Sequence, residues 1–325
     1  MRRLALSLCL LSCLALAGCM QANLSLFGDP GAPYREQTLS GEGRDKILLL
    51  SIDGLISEHP REGLLRMRPS TVQEVAAQLR LARKDKDIKA LLLKIDSPGG
   101  TVTASDVIYH EIMTYKKDTG VKVVAELMGL GASGGYYVAL PADRIAAHPT
   151  SITGSVGVIF LMPRVAGLMD KIGVDVDVSK SGAHKDMGSP FRPATEQEKK
   201  LTDAMVKAQA ARFLDLVQEH RKLKPEALAE VATARVFTAD QALRIRLVDS
   251  VGYMEDAVAA AAELAGLPKD ARVVAYRRNP GPDASWYQPG VEDVGARPAL
   301  VNVDVPGLAQ LRAGMYAVWT PGLAE

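Results

Sequence analysis

Three short, unbroken apolar runs mark the first half of the chain, and each ends where small or turn-forming residues begin. Residues 46–53 (KILLLSID) stop at Gly54, residues 89–95 (KALLLKI) stop at Asp96-Ser97-Pro98-Gly99-Gly100, and residues 121–127 stop shortly before a glycine-rich stretch. Runs of this length without polar alternation predict strands buried on both faces. Between the first two, residues 69–84 open with Pro69 and carry Val72, Val75, Ala76, Leu79 and Ala82 at helical spacing. Residues 101–116 read as the next helix, residues 131–142 can open one after a tight turn, and residues 195–222 form a long amphipathic one. Short β-rich stretches are expected near 144–147, 157–160 and 174–178, a packed helix over 257–267, and a strand over 271–276. Strands alternating with helices in this way predict right-handed βαβ crossovers and one α/β domain over residues 46–277.

The ends of the chain lack this pattern. Arg2 and Arg3 precede an apolar run over 4–16 that is too short for a stable membrane span, as in a secretory signal. It closes in Leu16-Ala17-Gly18-Cys19, which looks like a lipobox and implies cleavage after residue 18 and lipidation of Cys19. Two or three acyl chains on one residue anchor stably where one is marginal. Met20 is not the aspartate associated with inner-membrane retention, so the anchor leans toward an outer membrane. Residues 19–45, with six Gly and Pro positions from Gly28 onward, read as a tether. Residues 278–325 are rich in Pro and Gly and read as an extension that either wraps a neighbour or is loosely ordered.

Composition narrows the possibilities. Aromatics are 5% of 325 residues, so small aliphatics must fill the core. Removing residues 1–18 takes away two arginines and no acids, leaving a charge of 37 − 38 = −1. A nucleic-acid partner normally needs a basic face, and none is indicated. All three cysteines lie within the first 19 residues, so the remaining chain can form neither a structural disulfide nor a cysteine-ligated metal site. No HExxH or P-loop pattern is present, and neither metal nor cofactor is expected.

The candidate chemistry follows the second and third strands. Pro98-Gly99-Gly100 can turn sharply and expose N–H groups able to stabilise an oxyanion, although a strand–turn–helix connection alone would look the same. In 129–137 (GLGASGGYY), Ser133 is the one nucleophilic side chain among small neighbours before Tyr136. That fits a strand–nucleophile–helix turn, or equally a close helix–strand packing that needs small residues. A serine nucleophile needs a base. His59, His110, His148, His184 and His220 all sit in contexts better suited to surface or structural roles.

Taken in order, the 96–100 motif (DSPGG), Ala-Ser-Gly-Gly-Tyr-Tyr over 132–137, Thr-Gly-Ser-Val-Gly-Val over 153–158, Ser-Gly-x-x-Lys over 181–185 with Ser189-Pro190, and Arg-Val-Phe-Thr over 235–238 with Leu247-Val248-Asp249 resemble the signal peptide peptidase A family. The similarity covers about residues 46–265. It implies a crotonase- and Clp-protease-like fold of repeated ββα turns in a single catalytic domain. It also implies a serine endopeptidase with Ser133 as nucleophile, Lys185 as general base and Ser155 as the hydroxyl that orients the lysine. Gly134 and a glycine of the turn, Gly99 or Gly100, would donate to the oxyanion. Such a lysine must act uncharged, which desolvation favours. By the same resemblance the substrates are remnant signal peptides or other short unfolded apolar peptides. The protein would act as a lipid-anchored ring, of about eight copies, on the extracytoplasmic side of a bacterial membrane, with the dyad shared between copies. A silent membrane-anchored scaffold and a crotonase-type acyl-thioester enzyme are the alternatives. Ala234, Ala239 and Arg246 stand where the family often has glycine.

Overall fold

A computed structural model describes residues 32–62, 67–280, 285–287 and 314–319. The expected signal segment and Cys19 lie outside these residues. In chain order the strands and helices begin with β1 (Arg35–Ser40), β2 (Glu42–Asp53), β3 (Arg61–Glu62), β4 (Met67–Arg68), α1 (Thr71–Ala82), β5 (Ile88–Ser97) and β6 (Gly99–Thr101). They continue with α2 (Val102–Thr119), β7 (Lys122–Ala132), α3 (Gly134–Ala139), β8 (Arg144–Ala147), β9 (Ile152–Gly154), β10 (Ile159–Leu161) and α4 (Ala166–Ile172). The rest are α5 (Glu196–Arg221), α6 (Pro225–Val231), β11 (Val236–Thr238), α7 (Ala239–Arg244), β12 (Ser250–Val251), α8 (Met254–Ala265), β13 (Ala271–Arg277) and β14 (Gly314–Val318).

The main sheet runs β1-β13-β2-β5-β7-β8-β12. From β13 to β12 every pair is parallel, and β1 closes the β13 edge antiparallel. The three apolar runs are its centre, β2, β5 and β7. Alternate residues face opposite sides, as strand geometry requires. Leu48, Leu50, Leu91, Leu93, Val123 and Leu127 pack against α1 and α2, through Leu79, Ile108 and Ile112 among others. Ile47, Leu49, Leu92 and Val124 pack against Met254, Ala257 and Ala261 of α8. Capping boxes start α1 at Ser70 and α5 at Thr195, which supplies the helix N-termini with the acceptors they lack internally.

Three expectations are corrected. The span 19–45, read as a tether, contains β1 and the first four residues of β2: Gly41 sits at φ 69 and lets the chain reverse between them. Residues 174–178 (VDVDV), expected to be β-rich, form no strand; Val174, Val176 and Val178 are exposed and the alternation has no pairing edge. Within 278–325, Gly314–Val318 is a strand buried between β6 and β10.

Two of the non-glycine residues at family glycine positions adopt the left-handed conformation: Ala234 has φ 59 and Arg246 φ 64. A side chain there costs about 1 kcal/mol or more. Ala234→Gly is therefore expected to raise stability by roughly 1 kcal/mol, read as a higher denaturant midpoint; an unchanged or lower midpoint would contradict it. Ala239 instead lies in the first turn of α7, donating its N–H to Ser151 O at 3.1 Å, where alanine costs nothing.

Glu126 of β7 is fully buried, and neither carboxylate oxygen has a hydrogen-bond partner. Burial, and then Asp256, push its pKa up to about 8 from an ordinary 4.5. The folded state thus keeps a proton that the unfolded chain releases, so stability declines as pH rises from about 4.5 to 8. Glu126→Gln should remove that decline, gaining on the order of 3 kcal/mol over wild type between pH 5 and pH 8. Urea midpoints at the two pH values check it, and parallel profiles would refute it.

Candidate active site

The site is assembled where β5 and β7 end. Ser133 follows β7 directly and caps α3 at φ 52, ψ −118, a conformation rare for a residue with a side chain. Its N–H donates to Gly154 O at 2.7 Å, and its carbonyl accepts from Tyr137 N at 2.9 Å. The backbone is thereby fixed on both sides of the bend. The residue is 1% exposed, and its hydroxyl has no hydrogen-bond partner. No histidine reaches it: His220 bonds the Tyr109 hydroxyl and His148 bonds Thr150.

The Asp96–Gly100 turn holds the opposite wall. Ser97 Oγ donates to Gly54 O at 2.6 Å and accepts from Gly99 N at 3.0 Å. Gly99 N–H is therefore occupied, which removes it from the set of oxyanion donors expected from the sequence. Gly99 O and Thr101 N both bond Ile56, so the Gly100 N–H faces the other way, toward β14, whose Ala317 is its antiparallel partner. Asp96 Oδ1 accepts from Leu130 N at 2.9 Å and ties this turn to the Ser133 loop. Asp96 and Ser97 were part of the motif but carried no assigned role; their signal was a polar pair at the end of an apolar strand.

The two glycine segments touch. A Cβ on Gly99, at φ 100, would stand 2.6 Å from Gly134 N, and one on Gly134 would stand 3.0 Å from Gly99 Cα. Gly134 opens α3, so its N–H has no acceptor within the helix. Gly134 and Gly100 thus offer amide hydrogens on either side of one small space. The helix behind them is braced by Tyr137, whose hydroxyl donates to Asp106 at 2.6 Å. Partial burial works against a low pKa for Asp106, but the Tyr137 hydroxyl and Arg212 overcome it and keep the carboxylate below its ordinary range.

Ser155 lies next to this centre by backbone. β9 pairs in parallel with the end of β7, Gly154 beside Ala132, and Gly154 O holds Ser133 N. Ser155 follows at φ 49, buried, with its N–H on Arg235 O at 2.8 Å. Residues 236–238 of the 235–238 motif are β11, antiparallel to β9, and Arg235 just before it supports Ser155 from the far side.

Lys185 is in a different setting. It lies in a turn, N–H to Gly182 O at 3.1 Å, with an exposed side chain. Asp186 beside it is engaged elsewhere. Arg192 at 2.8 Å and then Lys180 at 2.8 Å hold its carboxyl well below the usual range. Arg192 also grips Glu198 at the start of α5, which anchors the segment. The chain therefore brings Ser133, Gly134, Gly100 and Ser155 together, but does not put Lys185 on the Ser133 hydroxyl. On the same stretch of chain, Leu168, Ile172, Val174, Val176, Val178 and Phe191 are exposed, interspersed with charged residues. Among the described residues no helix is long and apolar enough to cross a membrane.

Peptidase family S49 matches residues 115–268, and the Clp protease family matches residues 66–153. A candidate signal peptide peptidase SppA of Enterococcus faecium is 34% identical over 253 residues, which is 77% of this chain and 73% of that protein. A candidate protease of Synechocystis sp. is 37% identical over 238 residues, 73% of this chain and 79% of that protein. The chloroplastic serine protease SPPA of Arabidopsis thaliana is 32% identical over 234 residues, 71% of this chain but 34% of that longer protein. Identity of this order spread along most of both chains, over a mostly parallel sheet with a serine elbow at the end of its central strand β7, places the chain in peptidase family S49 as a serine peptidase of the signal peptide peptidase type, with a Clp-protease- and crotonase-related α/β fold.

Proposed function

We propose that the protein is a membrane-anchored endopeptidase in which Ser133 attacks the peptide carbonyl. Lys185 of a neighbouring copy takes the serine proton and delivers it to the leaving amine. Ser155 orients that lysine, and the N–H groups of Gly134 and Gly100 hold the oxyanion. The observation that carries this reading is the Ser133 hydroxyl, buried and unpartnered on a strained bend beside two glycine turns. A hydroxyl left without a partner in a buried site is costly unless something else fills the place in the working assembly. The exposed apolar side chains at 168, 172, 174, 176, 178 and 191, on the stretch of chain that carries Lys185, support a contact between copies, since exposed large apolar residues concentrated in one segment ordinarily mark interfaces. Such a contact would also remove water from the amine, and a lysine base works in its neutral form. A closed ring of about eight copies satisfies the head-to-tail geometry this requires.

The substrates proposed are short, unfolded apolar peptides, remnant signal peptides among them, presented at the membrane to which Cys19 would attach the ring. The step requires neither metal nor cofactor. The test is labelling with a fluorophosphonate probe together with hydrolysis of an apolar peptide. Wild type should label at Ser133 and cleave, while Ser133→Ala and Lys185→Ala should lose both by about 10³-fold or more. A wild type that neither labels nor cleaves supports the scaffold, and turnover of an acyl thioester in its place supports the crotonase-type enzyme.

A further inference from the structure

The helix that follows Ser133 is short. α3 spans only Gly134–Ala139 and starts from a residue at φ 52. A helix of six residues has little rigidity of its own, and a strained bend persists only where its surroundings over-determine it. The backbone bonds of Ser133 set the bend but leave the tilt of α3 to its side chains. Tyr136 and Tyr137 are buried, and both commit their hydroxyls to distant elements. Tyr136 donates to Leu247 O at 2.6 Å and Tyr137 to Asp106 Oδ1 at 2.6 Å.

The Asp106 carboxylate, on α2, is itself pinned. Arg212 of α5 donates to the same Oδ1 at 2.6 Å, so a shift of Arg212 moves the acceptor that Tyr137 uses. The Tyr137 ring is wedged between Tyr109, edge-on at 5.6 Å between centroids, and Phe213 at 4.7 Å. The Arg212 side chain is 54% exposed and that of Asp106 36%. An ion pair at that exposure contributes little to stability. What it does contribute is the aim of a buried hydroxyl one helical turn from the nucleophile, since Tyr137 N donates to Ser133 O at 2.9 Å. The same α5 begins with Glu198, which grips Arg192, which in turn holds Asp186 beside Lys185. Glu198 and Arg212 are about 21 Å apart along the helix axis, so one helix touches both the serine elbow and the lysine segment.

We propose that Tyr137, Asp106 and Arg212 are positioning residues, a relay that keys the Ser133 elbow to α5. The inference rests on Ser133 being the nucleophile. With the Tyr137 hydroxyl on Asp106, the first turn of α3 keeps the Gly134 N–H aimed at the space beside Ser133. Without that bond α3 can tilt about the bend, and the amide tilts with it. The cost falls on turnover and not on binding, because the amide acts on charge that develops only as the carbonyl is attacked. Because α5 also anchors the segment of Lys185, the relay keeps serine and lysine in a fixed relation within each chain. A copy that presents its serine to one neighbour and its lysine to another needs that relation fixed.

The test measures kcat and KM on an apolar peptide, the rate of fluorophosphonate labelling and the melting temperature, on full-length wild type and four variants. Tyr137→Phe and Arg212→Met are expected to lower kcat and the labelling rate about 10-fold, with KM within about twofold of wild type. Asp106→Asn keeps an acceptor for both donors and should retain at least about half of kcat. Tyr109→Phe loses the neighbouring bond to His220, at the same contact of α2 with α5, and should turn over like wild type. If Tyr137→Phe keeps wild-type kcat, or Tyr109→Phe loses as much, the relay serves packing alone; the inference is then overturned and Ser133 keeps its role. A wild type that does not label at Ser133 overturns the nucleophile assignment and this inference with it.

Discussion

Mixing Ser133→Ala chains with Lys185→Ala chains is expected to restore peptide hydrolysis that neither has alone. In the single chain the Ser133 hydroxyl is buried and without a partner, and Lys185 is exposed on a segment held by Asp186, Arg192 and Glu198. That ion network ties the segment to the start of α5 and not to the Ser133 bend. If Lys185 reaches Ser133 only across a contact between copies, a site needs serine from one chain and lysine from the next. Random one-to-one mixing in a closed ring then gives roughly a quarter of the wild-type sites. The mixture must be dissociated and reassembled, and the rate read against unmixed controls and against the ratio of the two chains. Recovery that peaks near equal amounts is the expected outcome. No recovery from well-assembled mixed rings would mean that each dyad belongs to one chain and that the segment bearing Lys185 folds back in a conformation other than this one.

How far the sequence reached depended on whether a segment's neighbours were close along the chain. β2, β5 and β7 were legible because each is apolar on both faces and ends in a turn sequence, and burial on both faces is what the sheet gives them. The packed helix over 257–267 was legible for the same reason, and is the α8 that covers one face. The Ser133 bend could be located because only small residues allow α3 to begin against the Gly99 turn, and small residues are visible in a sequence. β1 was hidden by its own composition: Arg35–Ser40 (REQTLS) is polar because it is an edge strand, and its stability comes from backbone pairing with β13, more than 230 residues away. β14 was hidden likewise, since GMYAV carries no pattern that names β6 and β10 as its partners. The alternation in 174–178 erred the other way. A strand-like pattern predicts a strand only where an edge is available, and one chain supplies none there.

Gly99→Ala is expected to lower kcat by about 10²–10³-fold, the loss seen when one oxyanion donor is removed. The added methyl would stand 2.6 Å from Gly134 N and 2.1 Å from Ala317 O, and both neighbours are backbone atoms that cannot rotate away. Gly99 also has φ 100, outside the range an alanine tolerates. Relief requires either the Gly99 turn or the start of α3 to move, and the Gly134 amide moves with it. A loss of activity could still come from simple loss of folding, and Gly120→Ala separates the two. Gly120 ends α2 at φ 71 with nothing within 4 Å of its added Cβ, so it shares the backbone strain but not the collision. Both variants should lose about 1 kcal/mol of stability to strain, while only Gly99→Ala should lose turnover at temperatures where both remain folded. Equal kcat values for the two folded variants would show that the close approach of the glycine turns serves packing, and the oxyanion donors would have to be sought elsewhere.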